Sequence, residues 1–405
     1  MPSFFNSLSV NFFIALQRQI CYNAVKTKKG RYAMKKFFAI LLVLAMMLSV
    51  AACGNDTAPE TTVPPTTEAP ETTPPTTVPP TTVPETTPPT TVPETEPPVL
   101  FRNPLNGEPL EELYTARPYT MTINNIKQAM PQCGVENADI IFETLVEGDV
   151  TRCLAVFGDV AGLEHIGAVR SARTYFVDLT LGLDAIFVHH GGSNYAYDLI
   201  ASTGTDDLDA MKSSGSAAFY RDQNRLNSGY SLEHTSFATG DKLVACAEKR
   251  YEMTREEGID YGWIFSEEAT PENGADATAV TVRFTSNGKK TSFVYNADTG
   301  LYEASQHGKA YIDGNSGNTM AFENLIMITA KSWLGSDNYH RFNELTNTEG
   351  TGMFACNGKL IPIKWSRGGY SEPLAFFLED GTPLTLSVGK SYIAILSSKG
   401  SVAYE

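Results

Sequence analysis

Paired cysteines, phosphate-binding glycine loops and hydrolase motifs are all missing from this 405-residue chain. No two cysteines stand in C-x-x-C spacing, which removes the usual zinc and dithiol signatures. No glycine-rich phosphate loop opens a helix, and neither H-E-x-x-H nor G-x-S-x-G occurs, so P-loop, zinc-protease and nucleophile-elbow chemistry have no mark here. Positive charge is scarce: 31 Lys and Arg stand against 46 Asp and Glu, a net charge of −15. Phosphate contacts dominate nucleic-acid binding, so nucleic acid is not an expected partner. Long apolar runs are rare as well. The uncharged run Phe37–Ala52 holds 16 residues, short of the ~20 that a membrane-spanning helix needs.

What is present is unevenly distributed. Lys35 and Lys36 precede the apolar run, which ends in Val50-Ala51-Ala52-Cys53-Gly54. A positive stretch, a short apolar core and small residues describe a secretory signal over 34–52, and the ending resembles the lipobox of bacterial lipoproteins. On that resemblance Cys53 is lipidated and anchors the protein to the extracytoplasmic face of the cell membrane. Residues 1–33 do not fit ahead of a signal peptide and read as an upstream mis-start. Residues 53–99 then carry a stalk rich in Thr, Pro and Glu, with 14 of the 23 prolines between 55 and 99. It has too little apolar bulk to fold, and polyproline II geometry would extend it to roughly 140 Å. Seven Lys and Arg within 1–36 offset seven acids within 55–99, so the remaining residues carry the whole −15. An acidic surface does not forbid a local cationic pocket.

The remainder predicts an α+β fold in two parts. In 100–270, a mixed α/β domain, strands are expected at 120–125, 140–146, 151–157, 166–169 and 185–190. Helices are expected at 172–182 and 241–253. The stretch 266–278 is polar and marks a boundary. In 275–405 apolar residues alternate, and "AVTVRF" and "TSFVYN" flank "SNGKK", a hairpin signal. This part reads as mostly antiparallel β, with Trp365 in its core. Cys133, Cys153, Cys246 and Cys356 lie in the folded part; Cys153 and Cys246, set among apolar residues, read as buried thiols.

Several long stretches, in order, resemble the YerB-like bacterial lipoprotein family, a paired N- and C-terminal architecture. They include "RPYTMTINN" (117–125), "ADIIFETLVEGDVTRCLAVF" (138–157), "IGAVRSAR" (166–173), "AIFVHHGGS" (185–193) and "GTGMFACNGKLIPIKWSR" (350–367). The resemblance implies fold and location, with no established reaction attached.

The chemistry concentrates at 152–221. Arg152 interrupts a strand, and Arg170 and Arg173 stand at a strand-to-helix junction. Guanidinium groups suit phosphate or carboxylate. His189 and His190 end a strand and point to opposite faces, before Gly191, Gly192 and Ser193. Arg221 is a weaker addition. Arg170, Arg173 and one of the two histidines are expected in one pocket, with Arg152 at its edge, because parallel strands joined by a helix gather their C-terminal ends. Internal pairing is the competing explanation: Glu143, facing Arg152 across the hairpin, and Glu147, Asp149 and Asp178 are the available carboxylates. Nothing supplies a third metal ligand at useful spacing, so neither metal nor cofactor is expected.

Two functions remain open. One is a non-catalytic envelope component holding an anionic group of a wall polymer, lipid or protein. The other is an extracytoplasmic phosphotransferase acting on polyprenyl-pyrophosphate-linked wall polymers, since "AVRSARTYFVDL" resembles part of the LytR-CpsA-Psr family. That family has an adjacent Arg-Asp, whereas Thr174 follows Arg173 here, leaving Asp178 as the magnesium candidate. The enzyme needs a carboxylate beside Arg170 and Arg173 in an open cleft; a binding site does not.

Overall fold

In strand Tyr119–Asn124 every residue is buried, as in Ile140–Leu145 and Thr151–Phe157. Strands covered on both faces lose polar alternation, and here both faces are covered. The computed structural model describes residues 101–405 apart from Glu272. The signal segment, Cys53 and the stalk lie outside the described residues.

The central element is an 11-stranded mixed sheet. Its strands include β1 (Tyr119–Asn124), β2 (Ile140–Leu145), β3 (Thr151–Phe157), β4 (Ile186–His189) and β5 (Asp207–Asp209) from the first half. From the second half come β6 (Asn324–Thr329), β7 (Thr348–Cys356), β8 (Lys359–Arg367) and β9 (Ser391–Leu396). The order runs β8-β7-β6-β9-β2-β3-β1-β4-β5. The halves therefore share one sheet, joined where β9 pairs parallel with β2, Ser391 opposite Ile140. The described residues form one compact unit.

Helices α1 (Thr174–Gly182) and α2 (Asn194–Thr203) cover one face with Tyr175, Phe176, Leu179 and Ile200. On the other face lies a six-stranded sheet. Val280, Val282 and Phe293 from it share one buried apolar cluster with Met121, Ile123 and Ile141. The expected "SNGKK" hairpin is there, with Ala279–Arg283 antiparallel to Lys290–Asn296. The second half is thus mostly antiparallel and the first mixed, an α+β fold. Trp365 is in the core, and the four cysteines among the described residues, Cys133, Cys153, Cys246 and Cys356, are free and buried.

Two local expectations need correction. The strand expected at 166–169 covers only Ile166–Gly167, and it pairs with Ser236–Ala238 in a separate three-stranded sheet. It is not the parallel neighbour of β4; that place belongs to β1 and β5. The second correction is register. Thr144, not Glu143, faces Arg152 across the hairpin. One residue of register exchanges the two faces of a strand. Glu143 accordingly turns to the opposite side, where Lys289, Thr291 and Tyr392 of the second half bond its carboxylate.

Candidate anion-binding site

The segment 169–172 is held as an extra line of backbone at the end of the sheet. Val169 bridges Ile123 of β1, and Ala172 bridges Gly192 beyond β4. The Arg170 amide donates to the Thr122 carbonyl at 2.9 Å, and the His190 amide donates to the Arg170 carbonyl at 2.9 Å. These bonds fix where Arg170 and Arg173 leave the main chain. Arg173 is the N-cap residue of α1.

Two cavities meet at Arg170. The smaller, 190 Å³, is lined by Asn124, Glu147, Arg152, Arg170, Arg173 and Tyr339 among others. The larger, 440 Å³, is lined by Arg170, His190, Arg221, Glu233 and Ser236 among others. Arg152, Arg170 and Arg173 therefore share a cavity, while His190 and Arg221 stand across Arg170 in the next one. His189 and Ser193 line neither. His189 turns to the other face of β4, where Nδ1 meets the Gly191 carbonyl at 2.8 Å and Nε2 meets Asp207 at 3.1 Å. Ser193 caps α2, its hydroxyl accepting from the Ala196 amide at 3.2 Å. Asp178 is buried within α1 and lines neither cavity.

The arginines differ in how far they are neutralised. Arg173 grips Glu147 bidentately, with Nε at 2.8 Å and Nη2 at 2.7 Å. Burial alone would raise the Glu147 pKa, but the Arg173 bonds outweigh it and leave that carboxyl below its ordinary range. Arg170 donates from Nη1 to Glu233 at 2.9 Å, while its buried Nε has no partner. Arg152 is 6% exposed, and its hydrogen bond among the described residues goes to the Ser171 carbonyl, at 2.5 Å. No described carboxylate forms an ion pair with it. Burial, reinforced by Arg173 and Arg170, pushes its guanidinium pKa down to about 9. A buried charge without a counterion costs several kcal/mol, and an incoming anion relieves that cost.

In the second cavity Arg221 donates from Nη1 to the Leu232 carbonyl at 2.7 Å, and its Nη2 lies 3.2 Å from His190 Nε2. Because guanidinium only donates, His190 Nε2 must accept, and its Nδ1–H then donates to Ser236 Oγ at 2.6 Å. The ring is neutral in this arrangement. Burial first, then Arg221, holds its pKa below the ordinary value.

Sequence reasoning missed Glu233, Ser236 and Tyr339. Tyr339 belongs to a segment whose flanking strands, Ser332–Leu334 and Arg341–Asn343, pair with each other. That hairpin is tied down by Arg341, which bonds the Val146 carbonyl at 3.1 Å and Asp149 at 2.8 Å. No local pattern in the sequence announces this approach. Glu147, one of the carboxylates the sequence offers for internal pairing, has Arg173 as its partner.

Comparison with known proteins bears on the whole folded part. Residues 105–254 match the model described as "Protein of unknown function (DUF3048) N-terminal domain", and 280–393 match its C-terminal counterpart. The chain is 31% identical over 297 residues to "Putative lipoprotein YerB" of Bacillus subtilis (strain 168), covering 72% of this chain and 85% of that protein. It is also similar to the crystal structure of the YerB protein from Bacillus subtilis, with a TM-score of 0.64 and 27% identity. That match covers 75% of this chain and 99% of the solved one.

Proposed function

Starting from the fact that this chain belongs to the DUF3048 family, we propose that it is a cell-surface lipoprotein that binds an anionic ligand through Arg152, Arg170 and Arg173. The observation that carries this reading is Arg152, a buried guanidinium with one carbonyl partner, lining a cavity beside two further arginines. Such a group is built to receive a phosphate or carboxylate oxygen. His190 and Arg221 extend the site past Arg170.

The YerB relative is named a lipoprotein, and Cys53 follows a lipobox-like stretch here. Lipidation of Cys53 would anchor the chain, and the stalk of 53–99 would carry the halves at 100–270 and 275–405 away from the membrane. Among the described residues no helix is long and apolar enough to cross a membrane. Cys53→Ala is expected to move the protein from the membrane fraction to the soluble one; retention after high-salt washing would remove the anchor from the account.

Binding is favoured over phosphoryl transfer by the state of the two nearby carboxylates. Glu147 and Glu233 do stand beside the arginines, but each is bonded to Arg173 or Arg170. Neither is left to hold a magnesium ion. The test is calorimetric titration with inorganic pyrophosphate. The wild type is expected to bind saturably, and Arg152→Gln to bind about tenfold or more weakly, given about 1.5–3 kcal/mol for a charge-assisted hydrogen bond. Equal binding by a folded variant would refute the assignment.

A further inference from the structure

Cationic walls continue beyond the two cavities at Arg170. The cavity around Arg152 shares Ile126, Val150 and Thr151 with a third, of 470 Å³, lined by Lys127, Lys289, Asp149 and His307 among others. The third shares Lys127 and His307 with a fourth, of 290 Å³, which adds Lys309. Adjoining cavities thus run from Arg221 in the first half to Lys309 in the second. Their linings hold seven Lys and Arg against three acids. Two of the acids pair within the lining, Glu233 with Arg170 and Glu147 with Arg173, while Asp149 pairs with Arg341 and Lys289 with Glu143 outside it. Arg152, Arg221, Lys127 and Lys309 are the lining cations that form no ion pair among the described residues. On a chain of net charge −15 this bias is local. The 640 Å³ cavity elsewhere has the opposite lining, with Glu108, Asp139, Asp159 and Glu248 against Arg117.

We propose that these four cavities form one track for a linear polyanion, and that the ligand is a base-free phosphate polymer whose successive charges occupy the arginine and lysine stations. This rests on the anion site at Arg152 and names what that site receives. Charge complementarity favours an anion, and the succession of stations favours a repeated charge over a single one. Neutral bases are not catered for. Single-strand nucleic-acid binders present rows of aromatic platforms, whereas here Tyr339 and the buried Tyr311 are the aromatic rings (histidines aside) among the lining residues named for all four cavities.

The stations differ in what they can reveal. Lys127 and Lys309 are exposed and form no ion pair among the described residues, so neutralising them leaves the fold in place. Occupying several linked stations multiplies affinity without any new kind of contact.

The experiment compares pyrophosphate with linear polyphosphate of about 15 phosphates on the full chain, by calorimetry in about 0.1 M salt. Polyphosphate is expected to bind at least about tenfold tighter per chain, with a steeper loss of affinity on adding salt. The double variant Lys127→Gln/Lys309→Gln is expected to lose most of that gain while keeping wild-type affinity for pyrophosphate. Arg152→Gln is expected to weaken both ligands. Equal affinity for both ligands, or a gain untouched by the lysine changes, would overturn the track and leave the Arg152 site standing. Tighter binding of an oligodeoxythymidylate of matched charge would overturn the base-free assignment in favour of a base-reading groove. Failure of both phosphate ligands to bind the wild type would remove the anion site itself.

Discussion

Arg152 and Arg367 are both buried guanidinium groups, one in each half, and they are satisfied very differently. Arg367 is 3% exposed and donates to five acceptors. These are the carbonyls of Glu372, Leu345, Tyr370 and Asp178 and the Thr346 hydroxyl. Arg152 reaches one carbonyl. Arg367 thus behaves as a rivet that ties β8 to α1, and nothing in its surroundings calls for a ligand. Arg152 leaves donor capacity facing a cavity. Burial of an arginine is therefore uninformative about function until its acceptors are counted.

The largest expected effect tests the rivet. Arg367→Ala strands several buried acceptors, each costing about 1–3 kcal/mol. A loss of about 3 kcal/mol would lower the melting temperature by roughly 6 °C or more. A change within 2 °C would break the contrast from its structural side.

Arg152→Gln should behave in the opposite way. Without ligand its melting temperature is expected to stay level or rise, since an uncompensated buried charge is removed. With pyrophosphate at about 100 times the wild-type dissociation constant, the wild type should gain about 2.7 kcal/mol and a variant binding about tenfold more weakly about 1.4 kcal/mol. A large drop for the unliganded variant would make Arg152 another rivet.

Glu147→Gln sharpens the comparison by giving Arg173 the same freedom. The Arg173 guanidinium loses its bidentate carboxylate, so pyrophosphate should bind more tightly, by up to about tenfold. Unchanged or weaker binding by a folded variant would show that the pair, not the free cation, shapes the cavity.

The smallest effect is pH dependence. Burial holds the pKa values of His165, His190, His234 and His307 below the ordinary value. Groups of this kind bind protons more readily in the unfolded chain, so they favour the fold above about pH 6.5 and lose that contribution as the pH falls. Asp178, pushed up to about 7 by burial, works in the opposite direction over the same range. The readout is therefore the difference between wild type and variant: from pH 7 toward pH 5 the wild type should lose stability relative to His190→Gln. An unchanged difference across that range would contradict the neutral His190 hydrogen-bonded to Arg221.

Much of this site was readable from sequence because it is local. The opposite directions of His189 and His190 follow from strand alternation, and Arg170 and Arg173 are placed by one junction. Register was harder, because Glu143 and Thr144 differ by a single step and nothing nearby decides which one faces Arg152. Long-range pairing was out of reach. Thr144 bonds the Ile395 carbonyl 251 residues on, and no local pattern encodes that the two halves share a sheet. For the same reason Glu233 and Tyr339 could not be placed beside the arginines. The apolar alternation that separates the halves in sequence also makes their strands compatible neighbours in one sheet.

The central claim is that Arg152 is held ready for an anion, and anomalous diffraction from crystals of the protein soaked in tungstate tests it most directly. The account predicts an anomalous peak within hydrogen-bonding distance of the Arg152 guanidinium, in the cavity shared with Arg170 and Asn124, and no peak there in Arg152→Gln crystals. Tungstate bound elsewhere with that cavity vacant, or bound there equally well in the variant, would contradict it.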